Sequence, residues 1–257
     1  MLELKNIKKI YNPGTVTEMR LFESFDFTVN DGEFVSIVGS NGSGKTSLLN
    51  IICGSIPVNG GDILINGESV NALPEYKRYR KIGRVYQNPS MGTCPNMTML
   101  ENLSLADNKG NRYGLTAGVN KKRENYYKEQ LSTLGLGLEN KMNVKLGSLS
   151  GGQRQAVSLI MATLTPIDFL ILDEHTAALD PKTAEIIMQL TDKVIKEKNL
   201  TALMVTHNLR YAVEYGTRLI MMDRGHIVLD KSGEEKKRAT VDSVLDIFNK
   251  ISIECGN

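Results

Sequence analysis

Glu33-Phe34-Val35-Ser36-Ile37-Val38, then Gly39-Ser40-Asn41-Gly42-Ser43-Gly44-Lys45-Thr46, then Ser47-Leu48-Leu49-Asn50-Ile51-Ile52 is the stretch that decides the fold. An apolar run of strand length enters a glycine-rich turn, and a helical pattern leaves it. The turn fits G-x-x-x-x-G-K-[S/T], and the strand before it and the helix after it are the context its mechanism needs. The glycines let the backbone turn inward, so that N–H groups and the helix N-terminus surround phosphate oxygens. Lys45 would reach the β- and γ-phosphates of a nucleotide, and Thr46 would bind Mg²⁺. The expected nucleotide-binding set is Gly39, Ser40, Asn41, Gly42, Ser43, Gly44, Lys45, Thr46 and Ser47.

Outward from this turn the same rhythm repeats. Short apolar runs alternate with helical patterns: Phe169–Asp173, then a helix; Thr201–His207, then a helix; then Arg218–Asp223. Such alternation predicts an α/β fold with a mainly parallel sheet. Residues 60–70 and 218–230 each read as two strands joined by a glycine-containing turn, which predicts an antiparallel layer near the ends. The N-terminal run Met1–Tyr11 alternates apolar and polar residues and is strand-like rather than a signal peptide. From about Ser90 to Leu149 strand signals are weak and helical ones stronger, so a helical subdomain is expected to be inserted into the core. Its basic run Lys121-Lys122-Arg123 reads as a solvated helix face.

The run Phe169-Leu170-Ile171-Leu172 ends in two adjacent acids, Asp173 and Glu174. Carboxylates at the end of a buried strand are costly without a cation or donors beside them. A triphosphate and Mg²⁺ at the carboxyl ends of parallel strands supply the reason. Asp173 would then hold the metal, directly or through water, and Glu174 would orient and polarise an attacking water. A guanine-reading N-K-x-D element is missing: Asn140-Lys141-Met142-Asn143 lacks the aspartate.

Composition narrows the partners. The 257 residues suffice for one large domain or two small ones. A net charge of +2 gives no support to coating a polyanion, so no nucleic-acid partner is expected. Cys53, Cys94 and Cys255 lie far apart, with neither metal spacing nor a disulfide framework, and read as reduced thiols of a cytoplasmic protein. No apolar run approaches the roughly 18 residues of a membrane span, so any membrane link is expected through a partner.

Leu149-Ser150-Gly151-Gly152-Gln153, shortly before the Asp173 strand, chooses among nucleotide-binding families. With it the chain resembles the ATP-binding cassette (ABC) ATPases, whose signature is L-S-G-G-Q, and the motifs follow in that family's order over nearly the whole chain. The residues carry a logic of their own: Ser150 can cap a helix whose first residues leave N–H groups uncovered. Val157, Ile160, Met161 and Leu164 would form its buried face.

The resemblance implies a P-loop NTPase (RecA-like) core, over 1–89 and 155–230, with an antiparallel layer. It places a helical subdomain at about 90–154 and a short tail at 231–257. It implies ATP and Mg²⁺ as ligands and a head-to-tail pair with a second copy or a paralogous cassette, in which Ser150, Gly151, Gly152 and Gln153 of one member close over the γ-phosphate held by the other. Gln87 matches the glutamine that senses Mg²⁺, Asp180 an aspartate at the dimer seam, and His207 the histidine that contacts the γ-phosphate. Tyr11 matches the aromatic that stacks on adenine. Asp180 can also cap a helix begun by Pro181, with Ile187, Leu190 and Val194 on its inner face.

The chain departs from the family's habit at His175 and Ala177, where proline and serine are usual, and at Ala156 and Met161, where arginines are. None of these removes a phosphate, metal or water contact. Residues 87–106 resemble the family's transporter-facing region. The expected job is therefore the ATPase subunit of an importer for an amino acid or other small organic solute. It would sit on the inner face of the cell membrane against separate transmembrane permease subunits, served by an extracytoplasmic solute-binding protein. The alternative is a non-transport or exporter ATPase of the same family.

Overall fold

In the computed structural model residues 1–111, 114 and 118–254 are described; Cys255 lies outside them, as do small parts of the expected helical subdomain and tail. The chain begins with β1 (Leu2–Tyr11), β2 (Met19–Val29), β3 (Phe34–Gly39), α1 (Lys45–Cys53), β4 (Gly60–Ile65), β5 (Glu68–Ser69) and α2 (Glu75–Arg78). There follow β6 (Ile82–Val85), α3 (Met99–Asp107), α4 (Glu124–Ser132), α5 (Gly151–Ala162), β7 (Phe169–Asp173) and α6 (Pro181–Glu197). It closes with β8 (Ala202–Val205), α7 (Leu209–Glu214), β9 (Arg218–Asp223), β10 (His226–Ser232), α8 (Gly233–Lys237) and α9 (Val241–Glu254). These elements fall into two compact units, one from residues 1–78 with those from 199 on, the other from 79–198.

The first unit contains an antiparallel sheet in the order β2-β1-β4-β5. It also contains β3, paired in parallel with both β8 and β9, with β10 antiparallel on β9. Strand β3 is buried along its whole length, as its unbroken apolar run requires of a strand covered on both faces. The expectation for 218–230 holds for the hairpin but not for its place. Strand β9 runs parallel to β3, so it belongs to the parallel set, and the antiparallel layer is built from the N-terminal strands. Strand β2 has no clean signature in the sequence. Its partners on β1 shift register between Phe22 and Phe25, and that irregularity breaks the alternation of its buried residues.

Helix α1 ends at Gly54, and the guanidinium of Arg78 donates to the carbonyls of Ile51 and Ile52 at 3.0 and 3.2 Å. That places a cation on the negative end of the helix. Burial lowers the pKa of Arg78.

In the second unit β6 and β7 pair in parallel, from Ile82↔Phe169 to Val85↔Leu172. Its helices enclose a core that includes Leu103, Tyr127, Leu131, Leu146, Val157 and Ile160. The hydroxyl of Tyr127 donates to Asp107 at 2.8 Å, and burial first, then that bond, pushes its pKa up to about 12. The basic run 121–123 is a short 3-10 turn rather than a face of α4. Its Arg123 is engaged, pairing with Asp107 at 2.6 Å and stacking on Tyr126.

Candidate functional site

The glycine-rich turn runs from the end of β3 into α1, as its spacing requires. Gly39 has φ +152°, and a Cβ there would lie 2.2 Å from the carbonyl oxygen of Met222, so no other residue fits. Gly44 starts α1 with φ +103° and no side-chain cap, which leaves the first N–H groups of the helix to other acceptors. Lys45 is only 5 % exposed. Its ammonium donates to the carbonyls of Gly39 and Ser40, both at 2.8 Å, and to Ser43 Oγ at 3.3 Å. The loop is thus wrapped around its own cation, with Asn41, Gly42 and Thr46 exposed at the rim.

Three further residues of the first unit bear on this loop or end at the same strands. Tyr11, the last residue of β1, donates its hydroxyl to Ser47 Oγ at 3.1 Å, which ties the predicted adenine-stacking ring to the start of α1. His207 is exposed two residues past β8, a strand in parallel register with β3. Asp223, at the end of β9, accepts from Ser40 Oγ at 3.0 Å. Sequence reading missed Asp223; its signal was the apolar run Leu219–Met222 ending in a carboxylate, the pattern that singled out Asp173.

In the second unit Asp173 closes β7. Its Oδ2 accepts from Arg84 Nη2 at 2.7 Å, with the two side chains 15 % and 7 % exposed. The cation that a strand-end carboxylate demands is here a residue of β6. Glu174 follows with φ +46°, left-handed backbone that costs a non-glycine residue on the order of 1 kcal/mol. Its carbonyl accepts from the N–H of Ala177 at 2.9 Å, and this turn sets Glu174 apart from the direction of the strand. His175 is buried at 2 % exposure, with Nε2 3.1 Å from Thr191 Oγ1 on α6; burial pushes its pKa down to about 4.

Ser150 caps α5 as its sequence predicts. Its Oγ accepts from the N–H of Gln153 at 3.2 Å, and Gln153 Oε1 accepts from the N–H of Ser150 at 3.3 Å, a reciprocal box. Gly152 has a second reason to lack a side chain: a Cβ would sit 2.3 Å from Thr183 Cγ2 of α6. Val157, Ile160 and Leu164 are buried, and Met161 packs at the edge of the same core. Asp180 caps α6 by accepting from the N–H of Thr183 at 3.1 Å, and hydrogen bonding from the Thr183 side chain first, then from that N–H, lowers its pKa. Gln87 is exposed just past β6, and the residue before it, Tyr86, accepts through its carbonyl from the buried Gln155 of α5 at 3.0 Å.

A cavity of about 500 Å³ opens beside β6. Met91, Cys94, Leu105 and Met161 give it apolar walls, and Arg84 and Lys109 contribute charge. Burial drives the Lys109 ammonium down to about 8 while it donates to the carbonyl of Ile82 at 2.7 Å.

Residues 22–177 match the family described as ABC transporter. The chain is 48 % identical to the "Tyrosine transport ATP-binding protein" of Clostridioides difficile, over 96 % of this chain and 98 % of that one. It is 31 % identical to the "Phosphonates import ATP-binding protein PhnC" of Lactococcus lactis, over 95 % and 98 %. Among solved structures it resembles the dimeric post-hydrolysis state of the ATP-binding cassette MJ0796 bound to ADP and Pi. The TM-score is 0.76 at 33 % identity, over 90 % of this chain and 98 % of that one. A nucleotide cradle, a capped glycine-rich helix and matches that run nearly end to end lead to one conclusion: the chain belongs to the ABC transporter family, as one of its ATP-binding, ATP-hydrolysing subunits.

Proposed function

We propose that this ATPase energises an importer of an amino acid or a similarly small organic solute, working as a head-to-tail pair of cassettes against separate permease subunits at the inner face of the membrane. An extracytoplasmic solute-binding protein would deliver the solute. The observation that carries the reading is the 48 % identity, nearly end to end, to a relative named for tyrosine transport. The segment 87–106 supports the permease contact, since Met91, Gly92, Thr93, Cys94, Asn102, Leu105 and Ala106 help to line the cavity. Among the described residues no helix is long and apolar enough to cross a membrane.

In this reading Tyr11 stacks on adenine, and Gly39 to Ser47 enclose the phosphates with Lys45 on the β- and γ-groups. Thr46, Gln87 and Asp173 offer a hydroxyl, an amide oxygen and a carboxylate, hard oxygen donors of the kind Mg²⁺ takes. The metal, when bound, neutralises charge on the phosphate oxygens. Glu174 accepts a proton from the attacking water as its oxygen bonds to the γ-phosphorus and the bond to the β-phosphate oxygen breaks. His207 contacts the γ-phosphate, while Ser150, Gly151, Gly152 and Gln153 of the partner close over it with Asp180 at the seam.

The test is Glu174→Gln. It should bind ATP as the wild type does while hydrolysis falls by about 10²–10⁴, the usual worth of a general base. Phosphate release at the wild-type rate would remove Glu174 from the reaction.

A further inference from the structure

We propose that Arg84 competes with Mg²⁺ for the carboxylate of Asp173, so that the metal must displace a cation built into the fold. The proposal rests on the assignment of Asp173 to the metal made above and adds a regulation of that site. Arg84 is paired with Ile171 across the parallel strands, so it starts two residues short of Asp173 and reaches forward to it. The contact is 2.7 Å between two side chains that are nearly buried, and it is charge-assisted. A guanidinium cannot release its proton, so it is a permanent counter-charge.

A divalent cation arriving at the same carboxylate meets a positive charge a few ångströms away, in surroundings that screen it poorly. Sharing the carboxylate is therefore unfavourable, and eviction needs somewhere for the displaced head to go. The structure supplies it. The guanidinium lies 4.7 Å from the centre of the Tyr86 ring, and both residues line the 500 Å³ cavity. The head can keep its stacking partner and turn away from Asp173 into open space. A residue that merely tethered β6 to β7 would affect stability but leave the metal requirement unchanged.

The experiment measures ADP binding by calorimetry at a series of Mg²⁺ concentrations, with the Mg²⁺-free affinity of each protein as its own reference. Arg84→Met keeps the unbranched apolar stem without the charged head. It should reach half-maximal Mg²⁺ enhancement at metal lower than the wild type requires by at least about tenfold, since even a charge pair screened nearly as well as in water approaches that factor, with Arg84→Lys much closer to the wild type. An unchanged or raised Mg²⁺ requirement in Arg84→Met overturns the proposal.

Asp173→Asn separates this from the underlying assignment, because it should raise the Mg²⁺ requirement. If Asp173→Asn shifts the requirement and Arg84→Met does not, the metal site stands and the competition falls; if neither shifts it, both fall. Should Arg84→Met fail to fold, arginine side-chain NMR of the wild type decides. The Arg84 signal should move when Mg²⁺ joins ADP but not with ADP alone, and a signal indifferent to the metal sinks the competition.

Discussion

Lowering the pH from about 7 to about 5 should unsettle the fold through His175. The ring is 2 % exposed, and its Nε2 lies 3.1 Å from Thr191 Oγ1. The Thr191 hydroxyl donates to the carbonyl of Ile187 at 2.8 Å, so its oxygen is left to accept and Nε2 carries the proton as donor. Burial holds the folded-state pKa at about 4 against an ordinary 6.5. Between those values the unfolded chain takes up a proton that the folded chain refuses. Stability is therefore full above the higher value, falls as pH drops through it, and stops falling below the lower one. Over the interval from about pH 7 to about pH 5 the loss comes to about 2 kcal/mol. Urea titrations followed by circular dichroism, run on the wild type and on His175→Gln, isolate this contribution. The glutamine can still donate to Thr191 but cannot titrate, and the exposed His207 and His226 are common to both proteins. The variant's stability should be flatter over that interval by the stated amount. Parallel curves would refute the reasoning, since a buried neutral imidazole cannot be present in one protein and leave no trace in the difference.

Substitutions at Gly152 and Ser150 probe the signature helix. Gly152→Ala would put a methyl 2.3 Å from Thr183 Cγ2, and forcing α5 off α6 should cost about 1–3 kcal/mol in urea titration. Adding Thr183→Ser removes the opposing methyl while keeping the backbone N–H that Asp180 receives, and should recover most of that loss. Ser150→Arg should abolish hydrolysis while leaving nucleotide binding by the isolated subunit unchanged. Lost binding would contradict a signature that acts on the partner's ATP.

The parallel strands were readable because each is a short, unbroken apolar run with a helical pattern after it: Phe34–Val38, Phe169–Leu172 and Ala202–Val205 are buried throughout. The antiparallel layer was harder. Residues 60–70 showed a glycine turn between two strands, whereas β2 follows β1 through a loop from Asn12 to Glu18 and carries a register shift that spoils its period. Strand β9 read two ways, since Arg218–Asp223 continues the parallel rhythm and also opens the 218–230 hairpin. A hairpin's sequence fixes that β9 and β10 face each other, but which strand lies on the other side of β9 is settled by long-range pairing with β3.

The site divides along the same line. Gly39 to Thr46 and Ser150 to Gln153 were legible because their turn and cap are local backbone geometry, and local geometry is written in consecutive residues. Arg84 was missed because its significance is entirely non-local. In Lys81-Ile82-Gly83-Arg84-Val85-Tyr86 it reads as the polar member of an alternating edge, and only strand pairing carries it to Asp173, 89 residues on. The same distinction separates the chain's two glycine-rich helix starts. Gly44 gives α1 no cap of its own, so the first turn is left to external acceptors and is suited to phosphates lying deep in the loop. The start of α5 is already satisfied in part by Ser150 and Gln153. Its hold on an anion is correspondingly weaker, as the head-to-tail proposal requires: a terminus that must close on a partner's γ-phosphate and then let go gains from a cap it can fall back on.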